Sequence, residues 1–164
     1  MTTSKKKSWV ISALAAVVVL GAGLWYFTSG SSLPVLSAAP TYTLENLDGK
    51  KVTSDDFKGK VRLVEFMYTN CPDICPMTTA NMVQLQKMLK EEDMFGKDVQ
   101  FVSVTFDPKR DTPDVLKAYQ ETMGIDSSGW TFLRGDEQEV AKLMEQFGAY
   151  VEKQPDGSFA HTIT

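Results

Sequence analysis

The stretch that decides the fold of this chain is Val61-Arg-Leu-Val-Glu-Phe-Met-Tyr-Thr-Asn-Cys71-Pro-Asp-Ile-Cys75-Pro76. Its first half, Val61 to Tyr68, is dense in β-branched and aromatic residues, which is typical of a central strand with two apolar faces. Apolar residues then recur at helical spacing from Pro76 to about Glu91, namely Met82, Leu85, Met88 and Leu89. The stretch therefore predicts a strand that passes into a helix through a turn with two cysteines.

The residues that follow extend this unit into an α/β fold. Val99 to Phe106 predicts a second central strand, so the helix should cross over right-handed between two parallel strands. Thr112, Pro113 and Gly124 have the residue types of a helix cap, a first helical position and a left-handed helix end. The sequence therefore predicts a second helix between them, with its buried stripe at Val115, Leu116, Tyr119 and Met123.

A third helix is predicted after Asp136, which can cap it together with Glu139, and Gly148 should end it. Its buried stripe should consist of Val140, Leu143, Met144 and Phe147. A short strand is expected from Trp130 to Leu133. The order of strands and helices predicts a two-layer α/β domain.

Two hairpins are predicted within this domain, one at each end of its sequence. Tyr42 to Leu47 and Lys51 to Thr53 are joined by Asp48-Gly49, a dipeptide that favours a tight hairpin turn. Tyr150-Val151, a Pro-Asp-Gly turn and Phe159 predict that a last hairpin begins near the end of the chain. The motif of two cysteines after a strand already favours a thioredoxin-like arrangement.

The two cysteines are the only ones in the chain, and their turn suits either a disulfide or a soft metal ion. Because Pro72 and Pro76 cannot both lie in one regular helix, we expect the helix to begin at Pro76 with Cys75 at its cap. The positive end of the helix would then lower the pKa of a thiol there. A structural disulfide is the alternative in an oxidising compartment.

A metal ion would need a third ligand, and His161 is the single histidine of the chain. Two thiolates and an imidazole suit Cu(I), and also Cu(II) with an added ligand. A structural zinc site is less compatible with the sequence, because it requires four protein ligands. The alternative interpretation of His161 is an ordinary hairpin residue.

Asp107 follows the second central strand, at the sheet edge where open α/β folds place their sites. It could therefore lie near the cysteine turn, or it could simply begin the turn before Pro108. Arg110 and Asp111 are interpreted as turn and capping residues.

The N-terminal residues predict a membrane anchor. Residues 1–8 include three lysines and are expected in the cytoplasm, and the uncharged residues 9–27 would span roughly 28 Å as a helix. Residues 28–39 predict a flexible linker, and residues 40–164 a single domain on the extracytoplasmic side of the cell (inner) membrane. The alternative is a cleaved signal peptide with its cleavage site at Ser37-Ala38-Ala39.

The charge of the predicted domain argues against one class of partner. Without the three N-terminal lysines, 14 basic side chains remain against 21 acidic ones, a net charge of −7. Nucleic acid is therefore not an expected partner.

The Cys-Pro-x-x-Cys-Pro motif at residues 71–76, the segment from Val102 to Pro113 and the later histidine resemble the Sco (SenC) family of membrane-anchored copper proteins. The resemblance runs from about residue 40 to residue 164. It implies a thioredoxin-like fold and copper ligands at Cys71, Cys75 and His161. It also implies a role in assembling the dinuclear copper (CuA) centre of cytochrome c oxidase, whose copper subunit would be the partner.

The sequence departs from the family pattern in two places. Ala160 stands where the family commonly has an aspartate before the histidine. The family also continues with another strand and a C-terminal helix, so we expect these two elements to be missing from the chain as it stands.

Two other functions use the same cysteines. A thiol-disulfide oxidoreductase would use redox-active Cys71 and Cys75 without His161. A peroxidase of the peroxiredoxin type is a weaker alternative, because Tyr68 occupies the place of the threonine that such enzymes have near their cysteine. The sequence favours a copper chaperone over an enzyme.

Overall fold

The computed structural model describes residues 17–21, 25, 37–72, 74–154 and 159–162, with the backbone alone for Lys153 and residues 160–162. The chain divides into an N-terminal unit, Met1–Ala38, and a compact unit, Ala39–Thr164. Residues 17–21 and 25 are helical and exposed.

The predicted anchor, residues 9–27, lies mostly outside the described residues. Within the part of the chain that the structure describes, no helix combines the length and the apolar character that crossing a membrane requires. The anchor stays a prediction.

The described residues of the compact unit form seven strands, one 3-10 turn and three α-helices. In chain order these are β1 (Thr43–Asn46), β2 (Lys51–Thr53), the 3-10 turn (Ser54–Phe57), β3 (Val61–Met67), α1 (Ile74–Glu91), β4 (Val99–Thr105), α2 (Pro113–Met123), β5 (Trp130–Arg134), α3 (Glu137–Gln146), β6 (Tyr150–Lys153) and β7 (Phe159–Thr162). The predicted order of elements is confirmed.

The main sheet has five strands in the order β2-β1-β5-β4-β3, and β6 and β7 form a separate antiparallel pair. Strands β3, β4 and β5 are parallel, with Met67 opposite Thr105 at the end of β3 and β4. Their carboxyl ends therefore meet at one sheet edge, where the loops after β3 and β4 are neighbours. Among the described strands β3 lies at the edge of the sheet, with Val61 67% exposed, so its predicted central position is wrong.

Helices lie on both faces of this sheet. The side chain of Glu65 hydrogen-bonds to Thr79 of α1, whereas the ring of its neighbour Phe66 packs against Phe147 just after α3. Because successive side chains of a strand lie on opposite faces, α1 and α3 cover different faces of the sheet. The domain therefore has three layers where the sequence predicted two.

The core forms where these layers meet the central strands. All seven residues of β4 are buried, as expected for a strand that is covered on both faces. The largest fully buried side chains are Trp130, Phe101, Leu44, Met67, Leu116 and Leu133.

Helix α1 begins at Ile74, two residues earlier than predicted. Pro76 is tolerated as the third helical residue, because the first N–H groups of a helix have no carbonyl partner in the preceding turn. The predicted stripe of α1 is partly wrong, since Leu85 is 38% and Met88 62% exposed. The buried residues of α1 are instead Cys75, Thr79, Met82, Val83 and Gln86.

The ends of the other two helices follow the sequence signals. Thr112 caps α2 by accepting from the Val115 N–H, and Gly124 ends it with a φ of 71°. Asp136 caps α3 by accepting from the Gln138 N–H. In the predicted stripes, Val115 (40%) and Phe147 (36%) are exposed, so those two positions are wrong.

Candidate functional site

The two cysteines lie together at the carboxyl edge of the sheet. A turn from Tyr68 to Cys71 follows β3 and is closed by a hydrogen bond from the Cys71 N–H to the Tyr68 carbonyl, 3.3 Å from N to O. Cys75 is the second residue of α1. Both cysteines are buried, and they are not joined by a disulfide.

Three contacts fix the sulfur atoms relative to one another. The Cys75 N–H donates to the Cys71 sulfur at 3.3 Å, and the two thiols also hydrogen-bond to each other. The backbone of Tyr68 hydrogen-bonds to the Cys75 sulfur. A single turn of the chain therefore holds two soft donor atoms side by side.

The protonation of Cys75 differs from the prediction. Burial, and then the hydrogen bond with Cys71, raise the pKa of the Cys75 thiol from its ordinary value of 9.0 to about 12. The prediction of a lowered pKa at Cys75 is wrong, because loss of solvation outweighs the helix terminus at a buried thiol.

A buried carboxyl lies beneath the cysteines. Glu65, in β3, accepts hydrogen bonds from Ser103 (2.8 Å) and Thr79 (3.3 Å). Burial raises the pKa of Glu65, and its charge contributes to the raised pKa of Cys75. The hydroxyl of Tyr119 donates to Thr79, and the indole N–H of Trp130 donates to Ser103.

Asp107 is 4% exposed and forms an ion pair with Arg110. The Arg110 guanidinium lies 5.9 Å from the ring centre of Phe159, at the start of β7. Asp107 therefore lies in the loop after β4, and its side chain is connected through Arg110 to the last hairpin.

Phe159 packs where this hairpin meets the end of β3. Its ring centre lies 5.1 Å from that of Tyr68 and 4.9 Å from that of Phe106. The backbone of Phe159 also hydrogen-bonds to the Tyr68 hydroxyl. These contacts bring the start of β7 to the residue that precedes the cysteine turn.

The backbone of His161 lies in β7, opposite Val151 of β6, and its side chain is outside the described part of the structure. Among the side chains that the structure does describe, no three of the types His, Cys, Asp and Glu form a metal site. Two of the three predicted ligands are therefore brought together, and the third position stays a prediction.

Donor chemistry tests whether the cysteine pair fits a copper ion. Two adjacent sulfur atoms are the soft donors that Cu(I) prefers, and their burial excludes competing water. Met77 is the methionine that follows Cys75 in α1, and its side chain is 56% exposed. By contrast, Cys75, Thr79 and Met82 belong to the buried face of this helix. The cysteines therefore fit a soft metal ion, and Met77 lies on the other side of the helix.

Sequence reasoning missed the importance of Asp111, which is fully buried. It accepts hydrogen bonds from Thr69 in the cysteine turn and from Thr105 at the end of β4. Asp111 stands directly before the cap residue Thr112, so the sequence suggested only a turn or capping role. Its contact with Thr69, which is distant in the sequence, was not predicted. Glu65 gave a clearer signal, as a carboxylate flanked by apolar residues on both sides in its strand.

Comparison with known proteins agrees with this geometry. The SCO1/SenC family model matches residues 33–164. The SCO1 protein homolog of Bacillus subtilis is 40% identical over 118 residues, which cover 71% of this chain and 59% of that protein. The chain thus spans about three fifths of the length of this relative.

Two solved structures are similar in both sequence and fold. The structure of BsSco, described as having a disulfide switch and as a member of the Sco family of cytochrome c oxidase assembly proteins, is 35% identical with a TM-score of 0.67. The alignment covers 81% of this chain and 76% of that one. Bradyrhizobium japonicum ScoI with copper bound is 29% identical with a TM-score of 0.65, covering 77% and 79%.

Proposed function

Because the chain belongs to the SCO1/SenC family, we propose that it is a copper-binding protein that assists assembly of the CuA centre of cytochrome c oxidase. The observation that carries the proposal is the pair of hydrogen-bonded thiols of Cys71 and Cys75 in one turn at the sheet edge. The solved structures of similar sequence include one with copper bound and one of a protein from an oxidase assembly family.

We propose Cys71, Cys75 and His161 as the copper ligands. The anchoring of β7 supports the choice of His161, because Phe159 packs against Tyr68 only two residues earlier in the strand. Two thiolates and one imidazole leave a three-coordinate ion open to attack by another ligand. Such a site can hold Cu(I) and still give it up to the cysteines of a partner.

The copper ion is therefore cargo, and the partner is the copper subunit of cytochrome c oxidase. An anchor at residues 9–27 would place the domain on the extracytoplasmic side of the membrane. Confinement to the membrane surface raises the effective concentration of the two proteins relative to one another.

A thiol-disulfide oxidoreductase is the second candidate, and the contact between the two thiols favours it. In that function Cys71 and Cys75 would be oxidised to a disulfide while a disulfide of the partner is reduced to two thiols, with transfer of two electrons and two protons. This exchange requires both sulfur atoms and no histidine.

Anaerobic Cu(I) titration of the reduced full chain, in competition with a chromogenic chelator, tests the two candidates. We expect a single bound copper ion, lost in Cys71→Ser and Cys75→Ser, and an affinity at least about tenfold lower in His161→Ala. Thr162→Ala is the matched control and should bind like the wild type. Full affinity in His161→Ala, together with exchange between the two cysteines and glutathione, would favour the oxidoreductase.

A further inference from the structure

The structure assigns to Asp111 the role of a positioning residue that holds the cysteine turn from the neighbouring loop. Both carboxylate oxygens of Asp111 accept from the Thr69 N–H, each at 3.2 Å. The Thr69 hydroxyl donates to the same carboxylate. Asp111 is 42 residues away from Thr69 along the chain, so these bonds join two separate loops of the sheet edge.

Thr69 is the second residue of the turn that carries Cys71. The carbonyl of the first residue, Tyr68, accepts a hydrogen bond from the Cys71 N–H. The backbone of Tyr68 also hydrogen-bonds to the Cys75 sulfur. The orientation of the peptide groups in this turn therefore decides where both sulfur atoms lie. By fixing Thr69, Asp111 fixes the geometry of the thiol pair without touching either sulfur.

Asp111 is itself held rigidly. The Thr105 hydroxyl donates to its carboxylate and accepts from the Asp107 N–H at 3.1 Å. The Asp111 carbonyl accepts from Nε of Arg134 at 2.7 Å. Asp111 thus has one hydrogen-bond partner near the carboxyl end of each of the three parallel strands: Thr69 after β3, Thr105 in β4 and Arg134 in β5. These strand ends form the sheet edge at which the two cysteines lie.

A fully buried carboxylate is costly unless several donors satisfy it. A role confined to α2 does not explain this one, since Thr112 already caps that helix. The carboxylate instead accepts hydrogen bonds from Thr69, and these bonds hold the turn that contains Cys71. Residues that orient metal ligands from behind in this way contribute to metal affinity.

The inference rests on the proposed copper function for one of its readouts and is independent of it for the other. The first readout is Cu(I) affinity of the full chain by chelator competition. The second is the fraction of Cys71–Cys75 disulfide in a fixed glutathione buffer, in which oxidised glutathione takes two electrons from the thiols and yields two molecules of reduced glutathione. The second readout measures how well the thiols are held together.

Asp111→Asn replaces one accepting oxygen by an amide that cannot accept, and Thr69→Val removes the hydroxyl donor. Both should lower Cu(I) affinity by about tenfold or more and lower the disulfide fraction. Thr69→Ser keeps the donor and should stay within about twofold of the wild type in both readouts. Thr112→Ala is the matched control, because it weakens the adjacent helix cap without altering Thr69, and it too should change neither readout.

The pair Thr69→Val and Thr69→Ser carries the test if Asp111→Asn does not fold. Variants that lower only the thermal unfolding midpoint, with copper affinity and disulfide fraction equal to the wild type, would show Asp111 to be purely structural and overturn the inference. If the wild type binds no Cu(I), the proposed function fails, and the glutathione equilibrium alone decides the role of Asp111.

Discussion

At Cys75, a helix terminus and a buried environment act in opposite directions on one thiol. The first turn of α1 favours a thiolate, whereas loss of water favours the neutral thiol. Because Cys75 is only 4% exposed, the second effect is larger, and the pKa rises to about 12. The copper binding proposed at this residue would therefore have to displace a proton, since no preformed thiolate is present.

The reactivity of Cys75 tests this protonation state. In a Cys71→Ser variant, the rate of alkylation by iodoacetamide should rise about tenfold per pH unit from pH 7 to pH 10 without a plateau, because burial keeps the thiol protonated. In the same variant unfolded in denaturant, the alkylation rate should level off above the ordinary thiol pKa of 9.0. A plateau below pH 9 in the folded variant would contradict the raised pKa.

At the scale of one element, the β6–β7 hairpin depends on a few aromatic contacts. Phe159 contacts Tyr68 and Phe106 at distances typical of edge-to-face aromatic pairs, and the Arg110 guanidinium lies over its ring. The residues that form this contact come from the loops directly after β3 and β4 and from the start of β7, which are far apart in the sequence. The hairpin that carries His161 is thereby attached to the same sheet edge as the cysteines.

Removing the Phe159 ring should loosen this hairpin. Phe159→Ala should destabilise its docking by about 2 kcal/mol, because the buried ring area and its aromatic contacts are lost. Hydrogen exchange of the backbone amides of Tyr150–Lys153 should accelerate by roughly thirtyfold as a result.

The matched control for this hairpin is Tyr150→Ala, at an aromatic residue of β6 that is 52% exposed. Its effect on docking should stay within about 0.5 kcal/mol. Equal exchange rates in the Phe159 and Tyr150 variants would show that the aromatic cluster does not hold the hairpin.

At the scale of the whole molecule, a polar chain crosses the core beneath the site. It connects Trp130 to Ser103, Glu65, Thr79 and Tyr119, and so joins three strands to α1 and α2. Each of these hydrogen bonds is formed inside an apolar core, where an unpaired partner would be costly. Glu65 is the carboxyl group among these five residues.

Glu65 makes the stability of the whole domain depend on pH. Burial raises the pKa of Glu65 above its ordinary value of 4.5, so the folded state favours the neutral acid. A raised folded-state pKa stabilises the protein below the unfolded pKa, and this contribution is lost as the pH rises through the folded value. The free energy of unfolding of the wild type relative to Glu65→Gln should therefore fall as the pH rises above about 4.5.

Chemical denaturation of the wild type and Glu65→Gln between pH 4 and pH 8 measures this difference. Glu121→Gln, at an exposed position of α2, is the control and should show no such trend. A difference between the wild type and Glu65→Gln that is independent of pH would mean that Glu65 is ionised equally in the folded and unfolded states.

Local signals in the sequence determined most of the elements of this domain. The caps Thr112 and Asp136 and the stop Gly124 were predictable, because capping depends on neighbours within one helical turn. The strands that end just before Tyr68 and Phe106 were predictable because β-branched and aromatic residues are concentrated in them. The cysteine turn itself was identified from spacing alone.

Only the tertiary structure decided the environment of the site. The raised pKa of Cys75, the third layer of the fold and the bonds from Asp111 to Thr69 all arise between segments that are distant in sequence. Burial depends on what packs against a residue, and hydrogen bonds across 42 residues depend on which strand ends become neighbours. A single sequence therefore determined where the two sulfur atoms stand in the chain, and packing determined how they are held and protonated.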